Sequence, residues 1–177
     1  RRSVLICPGG GYRMTSDREA EPVALALAGQ GFNVFVLRYS VAPKRFPTQI
    51  LEVSRALWLI RQNAEKWNVD TDQVAVMGFS AGGHLAASIG VLWNSSMISD
   101  TLKQMPQGAN KPNKLILCYP VISSAPEIIH RGSFELHVYP DGPHGISLCD
   151  ERSSKTPEQN NAYVARWFDN LVAWLKR

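Results

Sequence analysis

Cysteine is scarce in this chain: Cys7, Cys118 and Cys149 are an odd count with no metal-ligand spacing. That excludes a disulfide-stapled scaffold and a zinc-ribbon site. Cys7 and Cys118 fall in apolar, strand-like runs, so buried free thiols in a reducing compartment are expected, and with them a cytoplasmic location. Long hydrophobic runs are also missing. No stretch approaches the roughly 20 apolar residues of a membrane helix, so no membrane partner is expected. The opening Arg1-Arg2-Ser3-Val4-Leu5-Ile6 meets Pro8-Gly9 too soon to act as a signal peptide. Without a secretion signal, the glycosylation pattern Asn94-Ser95-Ser96 carries no weight. Excess charge is modest: 19 Lys and Arg against 15 Asp and Glu give +4. The basic residues are scattered, so a pI near 9.1 does not mark a nucleic-acid surface. Hydrophobic residues are 45% of the total, too many for a disordered chain, and 177 residues suit a single domain over 1–177.

What is present is an alternation of apolar strands and amphipathic helices. Val4-Leu5-Ile6-Cys7 is apolar throughout, as a central parallel strand must be. A helix is expected from Glu21 to Ala28, with Pro22 in its first turn and Gly29 or Gly31 closing it. Phe32 to Leu37 reads as a strand and Tyr39 to Pro47 as a proline-punctuated loop. Ile50, Val53, Leu57, Ile60 and Ala64 recur at spacings of three and four, one face of a helix. Asn68-Val69-Asp70-Thr71-Asp72 reads as a turn, since the glycine and glutamate of a calcium loop are missing. After the strand at Val74 and its helix, Asn94 to Asn113 reads as a surface excursion. Leu115 to Tyr119 is a further buried strand, and Phe134 to Tyr139 an alternating strand nearer an edge. Val164, Trp167, Phe168, Leu171, Trp174 and Leu175 stripe a closing helix. The order predicts an α/β fold with a mostly parallel sheet and helices on both faces.

Two loops carry chemistry. Gly78-Phe79-Ser80-Ala81-Gly82 follows an apolar run and opens a helix, the setting of a nucleophile elbow. A serine in such a strained turn needs small neighbours two residues away, and Gly78 and Gly82 supply them, because a Cβ at either place would collide with the opposite arm of the turn. The helix start then aims N–H groups and a positive dipole end at charge developing near Ser80. Pro8-Gly9-Gly10-Gly11-Tyr12 lacks the spacing of a phosphate loop. It suits donation of backbone N–H groups from the glycine run to a negative oxygen. No cofactor or metal is therefore expected. Ser80 needs a base, and four histidines are available. His84 is one turn along the same helix and suits packing or capping; His137 falls inside a strand and His130 in a loop. His144, in the Gly/Pro-rich loop after the last strand, is the candidate base, because ligands meet open α/β sheets at that end.

With these elements assigned, the chain resembles an α/β-hydrolase. More narrowly it is similar to bacterial lipases/esterases of the acetyl esterase and acetylxylan or feruloyl esterase-like group. Cys7 to Tyr12, Tyr39-Ser40-Val41-Ala42-Pro43, Gly78 to His84 and Tyr139 to Gly145 carry the resemblance, in the family's order. It implies Ser80 as nucleophile, His144 as base, and the backbone N–H of Ala81 joining Gly10 and Gly11 in an oxyanion hole. It also implies a short-chain acyl ester as the small-molecule substrate, with acetyl groups on sugars or xylo-oligosaccharides expected. Pro8 stands where many relatives carry a histidine.

The resemblance also shows departures. The chain opens at what corresponds to the family's third strand, without the usual opening strands. Between Leu115–Tyr119 and Phe134–Tyr139, relatives carry a strand-helix unit bearing the catalytic acid. Here only 120–133 fills that space, short for a helical crossover between parallel strands. Asp100, Glu127, Glu135 and Asp141 are the acids between Ser80 and His144, and none follows a strand as the triad order requires. A missing segment joined near 131–134 is therefore expected. A serine peptidase of related fold and a non-catalytic binding protein on a hydrolase scaffold remain the alternatives.

Overall fold

The computed structural model describes residues 1–122, 145, 147–148, 150–151, 153–154 and 156–177. Among the described residues four strands, β1 (Ser3–Cys7), β2 (Asn33–Val36), β3 (Val74–Phe79) and β4 (Lys114–Cys118), form one sheet in the order β2-β1-β3-β4. Every pairing is parallel, with Cys7 beside Gly78 and Phe79 beside Cys118 in register. Helices α1 (Glu21–Gly29), α2 (Thr48–Gln62), α3 (Ala81–Leu92), α4 (Ser96–Thr101) and α5 (Ala162–Leu175), with short 3-10 turns at Asp17–Glu19 and Pro157–Gln159, complete the described elements.

Strand alternation divides the core into two layers. Val4, Ile6, Ala75, Met77 and Phe79 face the cluster built with Val23 and Leu27 of α1 and Leu171, Val172 and Leu175 of α5. Leu5, Cys7, Val74 and Val76 face the cluster of Ile50, Val53, Leu57 and Ile60 of α2 with Leu85, Ala86 and Ile89 of α3. A sheet covered on both faces explains why β1 and β3 are buried at every position. The parallel pairings and helices on both faces bear out the sequence-based architecture.

Several local expectations shift. The α2 stripe is buried from Ile50 to Ile60, but the helix ends at Gln62, leaving Ala64 in the turn beyond it. The stretch from Asn94 to Asn113 is more than a surface excursion. It contains α4, whose Ile98 is fully buried, and Asn110, whose side-chain amide donates to the Trp93 carbonyl at 2.8 Å. Asp70 makes the expected turn, its carboxylate accepting the Asp72 N–H at 3.0 Å. Helix α5 buries Val164, Leu171 and Leu175 as expected, and Val172 besides. The expected strand Phe134–Tyr139 and the join near 131–134 lie outside the described residues. Among the described residues no helix is long and apolar enough to cross a membrane.

The two clusters predict unequal sensitivity along α2. Leu57 is fully buried and Leu59, two residues on, is 41% exposed. Leu57→Ala should lower the urea-unfolding free energy by about 2–5 kcal/mol. Leu59→Ala should change it by no more than about 0.5 kcal/mol. Equal losses would contradict this packing.

Candidate active site

The connection leaving β1 runs to β2 on one side of it, whereas β3 pairs on its other side. The carboxyl ends of β1 and β3 therefore border the crevice where open α/β sheets receive ligands. Gly9, Gly10 and Gly11 follow β1, and Ser80 follows β3. The two loops expected to carry chemistry thus meet at one point of the sheet.

Ser80 is the N-cap of α3 and has φ 51° and ψ −115°. A side chain in that region costs about 1–3 kcal/mol, sustained only where the surroundings fix the backbone. The surroundings do so through hydrogen bonds. Ser80 N–H donates to the Cys118 carbonyl at 3.0 Å, and the Ser80 carbonyl accepts from His84 at 3.0 Å and Val121 at 3.2 Å. The elbow glycines are required by space. A Cβ on Gly78 would come within 2.1 Å of the Gly82 carbonyl oxygen, the expected clash across the turn. At Gly82 the clash differs from expectation: a Cβ would meet the carbonyl oxygens of Cys7 and Pro8, at 2.0 and 2.5 Å. Gly82 therefore sets the approach of α3 to β1, not the closure of its own turn. Gly83 extends this contact toward Pro120.

The glycine loop is held as tightly. Gly10 and Gly11 have φ 130° and 61°, and Tyr12 follows at 58°. The Gly9 carbonyl accepts from Ser16 at 2.9 Å and the Gly10 carbonyl from Arg13 at 3.0 Å. Tyr39 Oη donates to the Pro8 carbonyl at 2.6 Å, and the Tyr12 carbonyl accepts from Ala42 at 2.7 Å, so the Tyr39–Pro43 loop braces it from outside. Among the described residues nothing accepts the N–H of Gly10, Gly11 or Ala81. A Cβ on Gly9 would lie 3.0 Å from Cβ of Ser80, which measures how closely this loop faces the serine. Together with the start of α3, the loop offers backbone donors around the serine with no competing acceptor of their own.

His84 takes the packing role expected of it. Its Nδ1 shares a 2.8 Å hydrogen bond with Tyr12 Oη, and the rings meet edge-on at 5.9 Å. Burial pushes the Tyr12 phenol up to about 12, so it holds its proton at neutral pH. Burial likewise pushes the Cys7 thiol up to about 12, consistent with an unreactive core thiol. His144, with His130 and His137, lies outside the described residues, as do Glu127, Glu135 and Asp141. Asp100 falls in α4, well along the chain from the elbow.

One group at this site was not anticipated. Glu19 is only 4% exposed, and its Oε2 accepts the Gly9 N–H at 2.7 Å while Oε1 accepts from Tyr119 Oη at 2.9 Å. In sequence Ser16-Asp17-Arg18-Glu19 looks like a capping box, which would send the carboxylate back to the Ser16 N–H. That N–H is already given to the Gly9 carbonyl. The cue available was a glutamate just ahead of an apolar helix, and it points to the wrong partner.

A parallel sheet with this elbow and this glycine loop at its switch point is the frame of an α/β-hydrolase. The chain belongs to the BD-FAE family of that class, which it matches over residues 2–121. It is 36% identical over 130 residues to endo-1,4-beta-xylanase B of Butyrivibrio fibrisolvens, covering 70% of this chain and 20% of that protein. It is 35% identical over 133 residues to an acetylxylan esterase of Xylanibacter ruminicola, covering 75% and 25%. The chain thus spans a quarter or less of the length of these relatives. Among solved structures, an acetyl ester-xyloside bifunctional hydrolase from Caldicellulosiruptor lactoaceticus matches with TM-score 0.80 and 25% identity, covering 99% of this chain and 82% of that one. A carboxylesterase from Lactobacillus plantarum matches with TM-score 0.85 at 20% identity, over 99% and 85%, a likeness of fold.

The strain at position 80 predicts a reversal of the usual residue ranking. Glycine is ordinarily less stabilising than alanine, but at φ 51° it avoids the Cβ penalty. Ser80→Gly should unfold at higher urea than Ser80→Ala, by about 1 kcal/mol. Ser80→Ala proving the more stable would show that the elbow is not strained.

Proposed function

We propose that this chain carries the reaction centre of a serine carboxylic-ester hydrolase acting on short-chain acyl esters, with acetyl groups on sugars or xylo-oligosaccharides as the substrate. The observation that carries this reading is Ser80, held at φ 51° at the head of α3 and faced by the Gly9–Gly11 loop across the switch point. Strain of this kind at a concave sheet end serves to project a hydroxyl. The substrate class is supported by the relatives, among them the acetylxylan esterase and the acetyl ester-xyloside hydrolase.

In this mechanism Ser80 Oγ attacks the ester carbonyl carbon as its proton passes to His144. The carbonyl oxygen becomes an oxyanion and accepts hydrogen bonds from the N–H groups of Gly10, Gly11 and Ala81. Those donors are fixed before the substrate arrives, so they stabilise charge without reorganising. Collapse of the tetrahedral intermediate breaks the ester C–O bond, and the proton held by His144 leaves with the alcohol. Water then attacks the acyl-serine, giving its proton to His144, and the acid departs as Ser80 recovers its hydrogen. The role of His144 rests on the sequence alone.

Turnover of p-nitrophenyl acetate and of acetylated xylo-oligosaccharide by the full chain tests the proposal. Ser80→Ala should lower kcat by at least about 10³-fold, with the melting temperature retained. Unchanged turnover in that variant would overturn the serine mechanism. Rapid cleavage of peptide amides with no ester preference would favour a peptidase. Failure of both substrates and of a fluorophosphonate probe would favour a binding protein.

A further inference from the structure

Two consecutive residues ahead of α1, Arg18 and Glu19, hold two different parts of the fold. Glu19 receives the Gly9 N–H from the glycine loop and the Tyr119 hydroxyl from the end of β4. Tyr119 Oη in turn accepts the Ser147 N–H at 3.1 Å. Arg18 donates from Nε to the Ser153 carbonyl at 2.6 Å and from Nη2 to the Gly145 carbonyl at 2.9 Å. The Arg18 carbonyl accepts from Ser147 Oγ at 2.7 Å, and Trp167 Nε1–H donates to the Ser147 carbonyl at 3.1 Å. A continuous path of hydrogen bonds therefore runs from Gly9 through Glu19 and Tyr119 to Ser147. It starts one residue before the oxyanion donor Gly10 and ends three residues after His144 in the chain.

The chemistry of this path is more specific than scaffolding needs. Burying a carboxylate costs several kcal/mol before its partners act. Among the described residues no Lys or Arg forms a salt bridge with Glu19; Arg38 pairs instead with Asp17 and Glu21. Two neutral donors satisfy it, one on each oxygen. An amide in its place could accept at only one oxygen and would turn an N–H₂ toward the other donor. Burial, reinforced by the nearby Glu19 charge, raises the Tyr119 phenol, so its proton stays available to the carboxylate. Tyr119 also holds φ 36°, an uncommon conformation for a tyrosine, which lets β4 end with the hydroxyl between the two segments.

We infer that Glu19 and Tyr119 are positioning residues that fix the oxyanion loop relative to the segment following His144, so that the two halves of the catalytic apparatus are held in register. The inference rests on the esterase reading. Each acts through the backbone groups it holds, and a misplacement of about 1 Å at groups that meet the substrate can cost about 10²-fold in rate.

The test compares Tyr119→Phe and Glu19→Gln with wild type, each normalised to sites titrated by a fluorophosphonate and assayed well below its melting temperature. Leu57→Ala, a core change away from the site, serves as the stability control. Positioning predicts that kcat for p-nitrophenyl acetate falls about 10-fold in Tyr119→Phe and further in Glu19→Gln, with KM within about twofold of wild type. The control should keep its kcat within about twofold despite a comparable loss of stability. Folded Tyr119→Phe and Glu19→Gln enzymes that keep wild-type kcat would overturn the inference while leaving the esterase reading intact. If neither folds, Arg18→Gln decides. It removes the bonds to Gly145 and Ser153 from a partly buried site, and a wild-type kcat there is equally contrary. Full activity in Ser80→Ala would instead defeat the esterase reading itself.

Discussion

The structure depends on one close approach: the first turn of α3 lies directly against the carboxyl end of β1. At Gly82 there is no room for even a methyl group between helix and strand, since a Cβ would stand 2.0 Å from the Cys7 carbonyl oxygen. That contact forces the chain into the tight corner at Ser80 and brings the serine opposite the glycine loop leaving β1. Gly78 allows the corner to close, and Gly83 allows Pro120 to pack beside it. A helix of small residues, Ala81, Gly82, Gly83, Ala86 and Ala87, is the means by which the sheet accepts α3 so near. The strain at Ser80 is the local consequence of packing satisfied everywhere around it.

Much of this was legible in the sequence because it follows from short-range rules. Uninterrupted apolar runs at Val4–Cys7 and Val74–Met77, too short for helices and followed by glycine turns, fit doubly covered strands, and the stripe from Ile50 to Ile60 fits a one-sided helix. Gly-x-Ser-x-Gly between such a strand and a helix gave the elbow, and the glycine triplet after β1 gave the loop that faces it. Their meeting at a switch point follows from strand order. The sequence implies that order only through the topological rules for parallel sheets.

The features that escaped prediction are those decided by tertiary context. Ala64 continued the helical spacing, but α2 stops at Gln62, because periodicity carries no information about where a helix ceases to be covered. Ile98 and Asn110 sit in a stretch too polar and irregular to suggest a core. Their burial depends on where the chain lies against α2 and α3. The role of Gly82 was read as relief within its own turn, and the neighbour it spares proved to be β1. Glu19 was missed for a sharper reason. Its local sequence resembles a helix cap, and only the fold shows that its partners are Gly9 and Tyr119, 10 and 100 residues away.

The central claim is that Ser80 forms the covalent bond to the acyl group. It is tested most directly by quenching the full chain in acid milliseconds after mixing with excess p-nitrophenyl acetate, then mapping its peptides by mass spectrometry. The account predicts one acetyl group, carried on the peptide containing Ser80 and lost on further incubation without substrate. Hydrolysis proceeding with no acetylated peptide, or with the acetyl group on another residue, would contradict it.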